Sequence, residues 1–229
     1  MGTVSSRFDI SEDKQREEGL AAARQALQAQ RCIVLPTDTV YGIGADAFSA
    51  QGVAMLLAAK GRARTMPPPV LISQIGTMDG LAIDVPPAAR ALAEAFWPGA
   101  LTLILQAQPS LTWDLGETKG TVGLRVPDDA DALELLGHTG PLAVSSANRT
   151  GQPAATTCDE AEAQLGASVD VYLDGGQRGL LGEAQPSTIV DATGEHLFVV
   201  RQGAISLQAL REVVPEVLGL GESAPSQDA

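Results

Sequence analysis

The sequence predicts a mixed α/β domain in which helices flank one large twisted sheet. Short runs rich in β-branched residues alternate along the chain with Ala/Leu-rich segments of helical length, a pattern typical of this fold class. The chain has 229 residues, of which 45% are hydrophobic, and a chain of this size buries a large core without disulfide or metal support. Because the sequence shows no internal repeat and no shift in composition, a single domain is expected.

The predicted elements follow these runs in chain order. Strands are expected where aliphatic and β-branched residues cluster in short runs, at 32–35, 70–74, 101–105, 121–126, 142–145, 169–173, 187–191 and 197–201. Helices are expected where Ala and Leu recur between polar residues, at 12–30, 51–60, 87–96, 130–136, 159–165 and 207–213.

Local signals support the ends of several elements. Glu12 and Asp13 stand in the first turn of the first helix, where negative charge complements the helix dipole. Thr157 and Glu160 have the spacing of a capping box. The last two strands are expected to form a hairpin that turns at 193–195.

The termini and the cysteines bear on domain limits and location. Residues 1–10 are expected to be a flexible N-terminus, 11–215 the folded domain and 216–229 a flexible tail. The start of the chain lacks the layout of a signal peptide, and no apolar run reaches the roughly 18 residues of a membrane span. Cys32 and Cys158 form neither a metal-binding spacing nor a disulfide framework. These observations predict a cytoplasmic protein without membrane contact.

Charge is distributed unevenly along the chain. The formal net charge is −13, which disfavours general electrostatic binding of nucleic acid. Three of the fifteen Lys and Arg residues nevertheless fall at 60–64, just before the prolines at 67–69. Two interpretations remain open for this cluster: cations that stabilise a helix C-terminus, or a site for a polyanion.

Common catalytic signatures are absent from the sequence. It contains no Gly-x-Ser-x-Gly, no His-Glu-x-x-His and no Walker A motif. His138 and His196 are far apart, and neither is expected to be catalytic. The segment 42–47 matches a loose dinucleotide fingerprint, and an NADP site stays open because Arg62 or Arg64 follows it where an acidic residue is usual.

Polar residues follow several predicted strands. The segment 145–148, Ser-Ser-Ala-Asn, ends one buried strand, and Arg125 and Arg201 end two others. Ligands of α/β sheets bind at such strand ends, although a polar turn gives the same pattern.

Five segments occur in an order that resembles one protein family. They are PTDTVYGIG at 36–44, KGR at 60–62, TVGLR at 121–125, SAN at 146–148 and STIVD at 187–191 followed by Arg201. This series is similar to the signature of the YrdC-type threonylcarbamoyl-AMP synthases, and the resemblance covers about residues 30–205.

The resemblance implies a YrdC-like fold and an ATP-dependent synthase. Such an enzyme joins L-threonine, bicarbonate and ATP into L-threonylcarbamoyl-AMP and releases diphosphate. Mg²⁺ is expected to accompany ATP, held mainly by phosphate oxygens and water. The product serves a tRNA threonylcarbamoyl transferase, which modifies an adenosine beside the anticodon, and a weak contact with RNA is expected.

The resemblance also assigns roles to individual residues. Lys60 and Arg62 are expected to act in catalysis on the ATP phosphates, and no residue is expected to ligate a metal ion. The remaining assignments are ATP binding by Arg62, Thr121, Ser146, Asn148 and Arg201, and threonine binding by Thr39, Arg125 and Ser187.

The sequence departs from the family pattern at three positions. Met66 stands where a polar residue contacts ATP, Leu71 stands near a histidine found in some members, and Ala154 replaces a serine. These departures put the contacts at those positions in doubt. The few residues after Arg201 indicate the single-domain form.

An alternative function is a non-catalytic module of the same fold that binds double-stranded RNA. In view of the net charge, this alternative requires Lys60, Arg62 and Arg64 to line one concave face together with Arg149 and Arg178. A carbamoyl-transfer domain of hydrogenase maturation proteins is a third candidate, but the acylphosphatase and zinc-finger segments that accompany it are missing.

Overall fold

The computed structural model describes residues 5–179 and 185–223. Its strands are β1 (Ser6–Asp9), β2 (Ile33–Leu35), β3 (Gly42–Asp46), β4 (Val70–Leu71), β5 (Ala82–Ile83), β6 (Leu101–Ala107), β7 (Thr121–Arg125), β8 (Leu142–Ser146), β9 (Val171–Asp174), β10 (Thr188–Asp191) and β11 (Phe198–Arg201). Its helices are α1 (Asp13–Gln28), α2 (Ala50–Lys60), α3 (Met78–Leu81), α4 (Pro87–Phe96), α5 (Ala130–Thr139), α6 (Cys158–Leu165) and α7 (Leu207–Val213).

All these strands join one mixed sheet. Their order is β1-β9-β2-β3-β8-β4-β7-β6-β10-β11, and β5 pairs with β6. The predicted hairpin of β10 and β11 is antiparallel. The predicted capping box is present, with the Thr157 hydroxyl accepting from the Glu160 amide and the Glu160 carboxylate accepting from the Thr157 amide. The predicted α/β class with helices around a twisted mixed sheet is confirmed.

Side chains on the two faces of the sheet enter different layers. One face packs on the main core, which includes Leu103, Leu124 and Val190. On the other face, α1 and α5 bury the smaller cluster that includes Leu35 and Leu71. Leu71 on β4 is the member of this cluster nearest to β7. Beyond Leu71, this face of the sheet continues over β7, β6 and β10. This part of the face carries the cavities described below.

Several predictions about the chain ends and the glycines at 42–44 are wrong. Residues 6–9, expected to be flexible, form β1 and pair in parallel with β9. In the predicted tail, Leu218 bridges to Phe198 and Val217 is fully buried, whereas residues 1–4 and 224–229 lie outside the described residues. Gly42 and Gly44 belong to β3 between β2 and β8, so they form no strand-to-helix turn for a dinucleotide.

The sequence predicts no segment that spans a membrane, and the helices bear on this prediction. Within residues 5–179 and 185–223, none of them combines the length and apolarity needed to cross a bilayer.

Candidate functional site

A cavity of about 250 Å³ opens beside the strands β3, β8, β4 and β7. Seven of the nine predicted site residues line it: Thr39, Arg62, Arg125, Ser146, Asn148, Ser187 and Arg201. The other lining residues are Thr37, Val40, Tyr41, Gly42, Leu71, Val144, Ser145, Gln152, Ala154 and Pro186. Segments that are far apart in sequence therefore meet at one concave surface.

The pairing of β3 with β8 brings two of these segments together. Gly42 lies opposite Ser146 in the register, and the Ala147 amide donates to the Tyr41 carbonyl at 2.8 Å. A side chain at position 42 would meet Val144 Cγ1 at 2.6 Å from its Cβ. Glycine at this position therefore allows the strands to approach closely where they border the cavity.

Arg125 ends β7 and is almost fully buried, with 6% of the residue exposed. Its Nε donates to the Gly99 carbonyl at 2.9 Å, and its Nη1 donates to Thr39 Oγ1 at 3.1 Å. Its Nη2 forms an ion pair with Asp38 Oδ1 at 2.5 Å. Burial lowers the pKa of Arg125, and the Asp38 carboxylate opposes that shift.

Arg62 reaches the cavity from the end of α2. Its Nη1 donates to Ser145 Oγ at 3.0 Å and its Nε donates to the Met66 carbonyl at 2.6 Å. The departure at Met66 therefore leaves a backbone contact in place, while the Met66 side chain itself is exposed. Burial lowers the pKa of Arg62.

Arg201 ends β11 and contacts the start of β10. Its Nη2 donates to the Ser187 carbonyl at 2.7 Å and to Ser187 Oγ at 2.9 Å. Ser187 Oγ lies 2.9 Å from Thr102 Oγ1 on the neighbouring strand. These contacts hold the guanidinium and the hydroxyl side by side at the cavity wall.

The three guanidinium groups give the cavity a positive charge within an acidic protein. Burial lowers the pKa of Arg201, and the positive charges of Arg125 and Arg62 lower it further. Arginine stays charged at neutral pH. Of these three arginines, only Arg125 has a carboxylate partner among the described residues, whereas Arg62 and Arg201 donate to neutral oxygens. The cavity is therefore suited to a ligand with several negative charges.

Lys60 does not line the cavity, in contrast to its predicted role on the phosphates. It is 2% exposed, and its Nζ donates to the carbonyls of Ser146 and Asn148 at 2.5 and 2.6 Å and to Asn148 Oδ1 at 3.3 Å. Three acceptors match the three donors of an ammonium group. Burial, and then the charge of Arg62, lower the pKa of Lys60 to about 8. In this structure Lys60 holds the segment 146–148 in place.

Thr121 also lies outside the cavity. It lines an adjoining groove of about 90 Å³ together with Pro69, Thr102, Gly123 and Ile189. Residues two apart on a strand share a face, so Thr121 and Gly123 lie on the face of β7 that carries Arg125. The groove therefore lies on the same face of β7 as Arg125, which lines the cavity.

Sequence reasoning missed Asp38, the ion-pair partner of Arg125. Asp38 belongs to the motif at 36–44, but that motif gave no indication of which side chains meet. It also missed Gln152, a cavity-lining residue in the loop after the segment 146–148. The two departures at Leu71 and Ala154 both line the cavity, where they add apolar surface.

The basic surface required by the RNA-binding alternative is not formed. Lys60 is buried, Arg64 pairs with Asp114 at 2.7 Å, and Arg178 lies 3.4 Å from the Asp129 carboxylate. Lys60, Arg64 and Arg178 are thus buried or neutralised. Arg149 is exposed, and its backbone amide and Nε donate to Gln164.

A metal centre built from side chains would need several ligands close together. Residues 5–179 and 185–223 contain no group of three or more His, Cys, Asp or Glu side chains arranged to hold an ion.

Comparison with known proteins identifies the family of this chain. The family model Sua5/YciO/YrdC, described as "Telomere recombination", matches residues 25–203, which is most of the chain. The chain belongs to the Sua5/YciO/YrdC family. The resemblance read from the sequence motifs is thereby confirmed.

Members of the Sua5/YciO/YrdC family are similar to this chain over nearly all of its length. A putative threonylcarbamoyl-AMP synthase of Mycobacterium leprae is 50% identical over 93% of this chain and 96% of the relative. The threonylcarbamoyl-AMP synthase of Bacillus subtilis is 34% identical to this chain. The match covers 85% of this chain and 56% of the Bacillus subtilis protein.

A solved structure of the family supports the same conclusion. Pyrococcus abyssi Sua5 complexed with L-threonine superposes with a TM-score of 0.82 at 28% identity, covering 96% of this chain and 64% of that one. Escherichia coli YciO has a TM-score of 0.75 at 22% identity, which is evidence for the fold alone.

Proposed function

We propose that this chain is a threonylcarbamoyl-AMP synthase. It joins L-threonine, bicarbonate and ATP into L-threonylcarbamoyl-AMP and releases diphosphate, for threonylcarbamoylation of a tRNA adenosine beside the anticodon. The observation that carries the proposal is the cavity itself, where three guanidinium groups face the same space and, among the described residues, only Arg125 has a carboxylate partner. The names of the relatives from Mycobacterium leprae and Bacillus subtilis support the same activity.

The amino acid is assigned to the Arg125 end of the cavity. A guanidinium fork is the natural partner of a carboxylate, and Thr39 and Ser187 supply neighbouring hydroxyl groups. The apolar side chains of Val40 and Leu71 form nearby cavity wall that suits a methyl group. Pyrococcus abyssi Sua5, whose structure contains L-threonine, supports L-threonine as the amino acid.

The triphosphate is assigned to Arg62 and Arg201. Both lack a carboxylate partner among the described residues, so a polyanion would offset their mutual repulsion. Ser146 and Asn148 complete this end, and Lys60 holds their backbone. Mg²⁺ is expected to bind the phosphate oxygens and water, since none of the described residues that line the cavity is a carboxylate.

Catalysis follows from positioning and charge. The threonine amine loses a proton and combines with bicarbonate-derived carbon dioxide to form a carbamate, and a carbamate oxygen attacks the α-phosphorus of ATP as diphosphate leaves. Guanidinium groups already fixed by hydrogen bonds stabilise the charge that develops on the phosphate oxygens. We expect a tRNA threonylcarbamoyl transferase to consume the mixed anhydride, and we expect both proteins to act in the cytoplasm.

A diphosphate-release assay tests the proposal. Release should require ATP and bicarbonate and should be faster with L-threonine than with any other standard amino acid. RNA binding with steep salt dependence and no ATP turnover would instead favour the RNA-binding module.

The groove should hold the part of the nucleotide that extends beyond the phosphates toward Thr121. At Gly123, an added Cβ would lie 3.4 Å from Pro69 Cβ and Thr102 Cγ2, so alanine fits and valine fills the groove. Gly123→Val should weaken ATP binding at least tenfold and leave L-threonine binding within about threefold. Calorimetry on both variants checks this, with Gly123→Ala as the matched control. Equal ATP affinity in the two variants would place the nucleotide elsewhere.

The cysteines should take no part in the reaction. Cys32 and Cys158 are buried, and burial raises the pKa of each thiol to about 12, so the nucleophilic thiolate is scarce at pH 8. The Cys32→Ser/Cys158→Ser variant should keep turnover within about twofold. The native protein should also resist iodoacetamide at pH 8, as measured by intact mass. A folded but inactive variant would reveal a thiol mechanism.

A further inference from the structure

Asp38 is a charged residue next to the cavity, and the reaction proposed above gives it no role. Its carboxylate pairs with Arg125, and the two side chains are 15% and 8% exposed. Asp38 does not line the cavity, so it contacts the guanidinium from outside. The other nearby carboxylate, Asp129, lies 3.4 Å from Arg178, which leaves Asp38 as the partner of Arg125.

Counting the donors of Arg125 shows what this contact does. A guanidinium group has five N–H donors in a rigid plane. Gly99, Thr39 and Asp38 each accept one donor, from Nε, Nη1 and Nη2 respectively. Three fixed points determine the orientation of the plane, and one N–H on each Nη remains for a ligand. Thr39 is itself held by Thr37, whose Oγ1 lies 3.1 Å from Thr39 Oγ1.

We propose that Asp38 is a positioning residue that orients the Arg125 guanidinium toward the carboxylate of the amino-acid substrate and thereby sets the affinity for that substrate. This inference rests on the proposed function. Charge alone predicts a different result, because removal of the Asp38 carboxylate makes the cavity more positive and should strengthen the binding of an anion such as ATP. L-Threonine is a zwitterion and Asp38 does not line the cavity, so charge alone should leave its affinity nearly unchanged. A loss of affinity confined to L-threonine therefore indicates positioning.

The test is calorimetric titration of Asp38→Asn with L-threonine and, separately, with ATP. We expect the Kd of L-threonine to rise at least tenfold, while the Kd of ATP stays within about threefold or falls. The matched control is Asp79→Asn, which removes an exposed partner of Arg90 and should change neither Kd. If Asp38→Asn does not fold, Asp38→Glu carries the test with the same expectation, because it keeps the charge but displaces the carboxylate by one methylene.

Two results would overturn the proposal. Unchanged or tighter L-threonine binding would mean that Asp38 acts by charge or not at all. A parallel loss of affinity for both ligands would mean general damage to the cavity. Failure of the proposed function is distinguishable, because it would appear in the wild-type chain as an absence of threonylcarbamoyl-AMP formation.

Discussion

Arg62→Ala should raise the KM for ATP and lower turnover. The guanidinium faces the cavity without a carboxylate partner among the described residues, so its charge is available to the phosphates. A charge-assisted contact of this kind contributes about 1.5–3 kcal/mol, which corresponds to a roughly 10- to 150-fold loss of kcat/KM for ATP. Steady-state kinetics at saturating L-threonine and bicarbonate measure it.

Arg64→Ala is the matched control for this experiment. Arg64 lies two residues away but pairs with Asp114 on the surface, so its loss should change the KM for ATP by less than about twofold. Unchanged ATP kinetics in a folded Arg62→Ala protein would remove Arg62 from the phosphate site.

Arg125→Lys should weaken L-threonine binding at least tenfold while ATP binding to the free enzyme changes little. The substrate carboxylate must give up water to contact Arg125, which is almost fully buried, and this is tolerable only beside a paired cation. Lysine keeps the charge but loses the planar fork that contacts Gly99, Thr39 and Asp38 at once.

Calorimetry with each ligand decides the assignment of Arg125. Arg90→Lys serves as the control, since Arg90 lies on the surface in an ion pair with Asp79. If ATP affinity falls while L-threonine affinity holds, Arg125 belongs to the nucleotide end, and the division of the cavity given above is wrong.

The sequence predicted the elements that have strong local signals. The bounds of α4 and α7 agree with the prediction at both ends, because Ala/Leu periodicity and proline or polar boundaries decide them locally. Strand β3 was missed because Gly42 and Gly44 have low β-propensity. Their place in the sheet follows from contact with Val144, which is far away in sequence.

The sequence predicted which residues form the site better than it predicted how their side chains are arranged. Seven residues of the motif series line one cavity, because six of them stand at or near the end of a strand and Arg62 follows the end of α2. It could not show that Lys60 turns toward the carbonyls of Ser146 and Asn148. It also could not show that Thr121, four positions before Arg125 on a strand, lies in the adjoining groove. Side-chain direction at these positions depends on tertiary contacts.

The central claim is that one cavity joins an amino acid to AMP through a bicarbonate-derived carbon. Mass spectrometry of a reaction containing the wild-type chain, ATP, Mg²⁺, L-threonine and ¹³C-bicarbonate tests it most directly. We expect an adenylate whose mass includes threonine and the labelled carbon, and which disappears when L-threonine or bicarbonate is left out. An adenylate that lacks the labelled carbon, or no adenylate from a protein that binds both ligands, would contradict it.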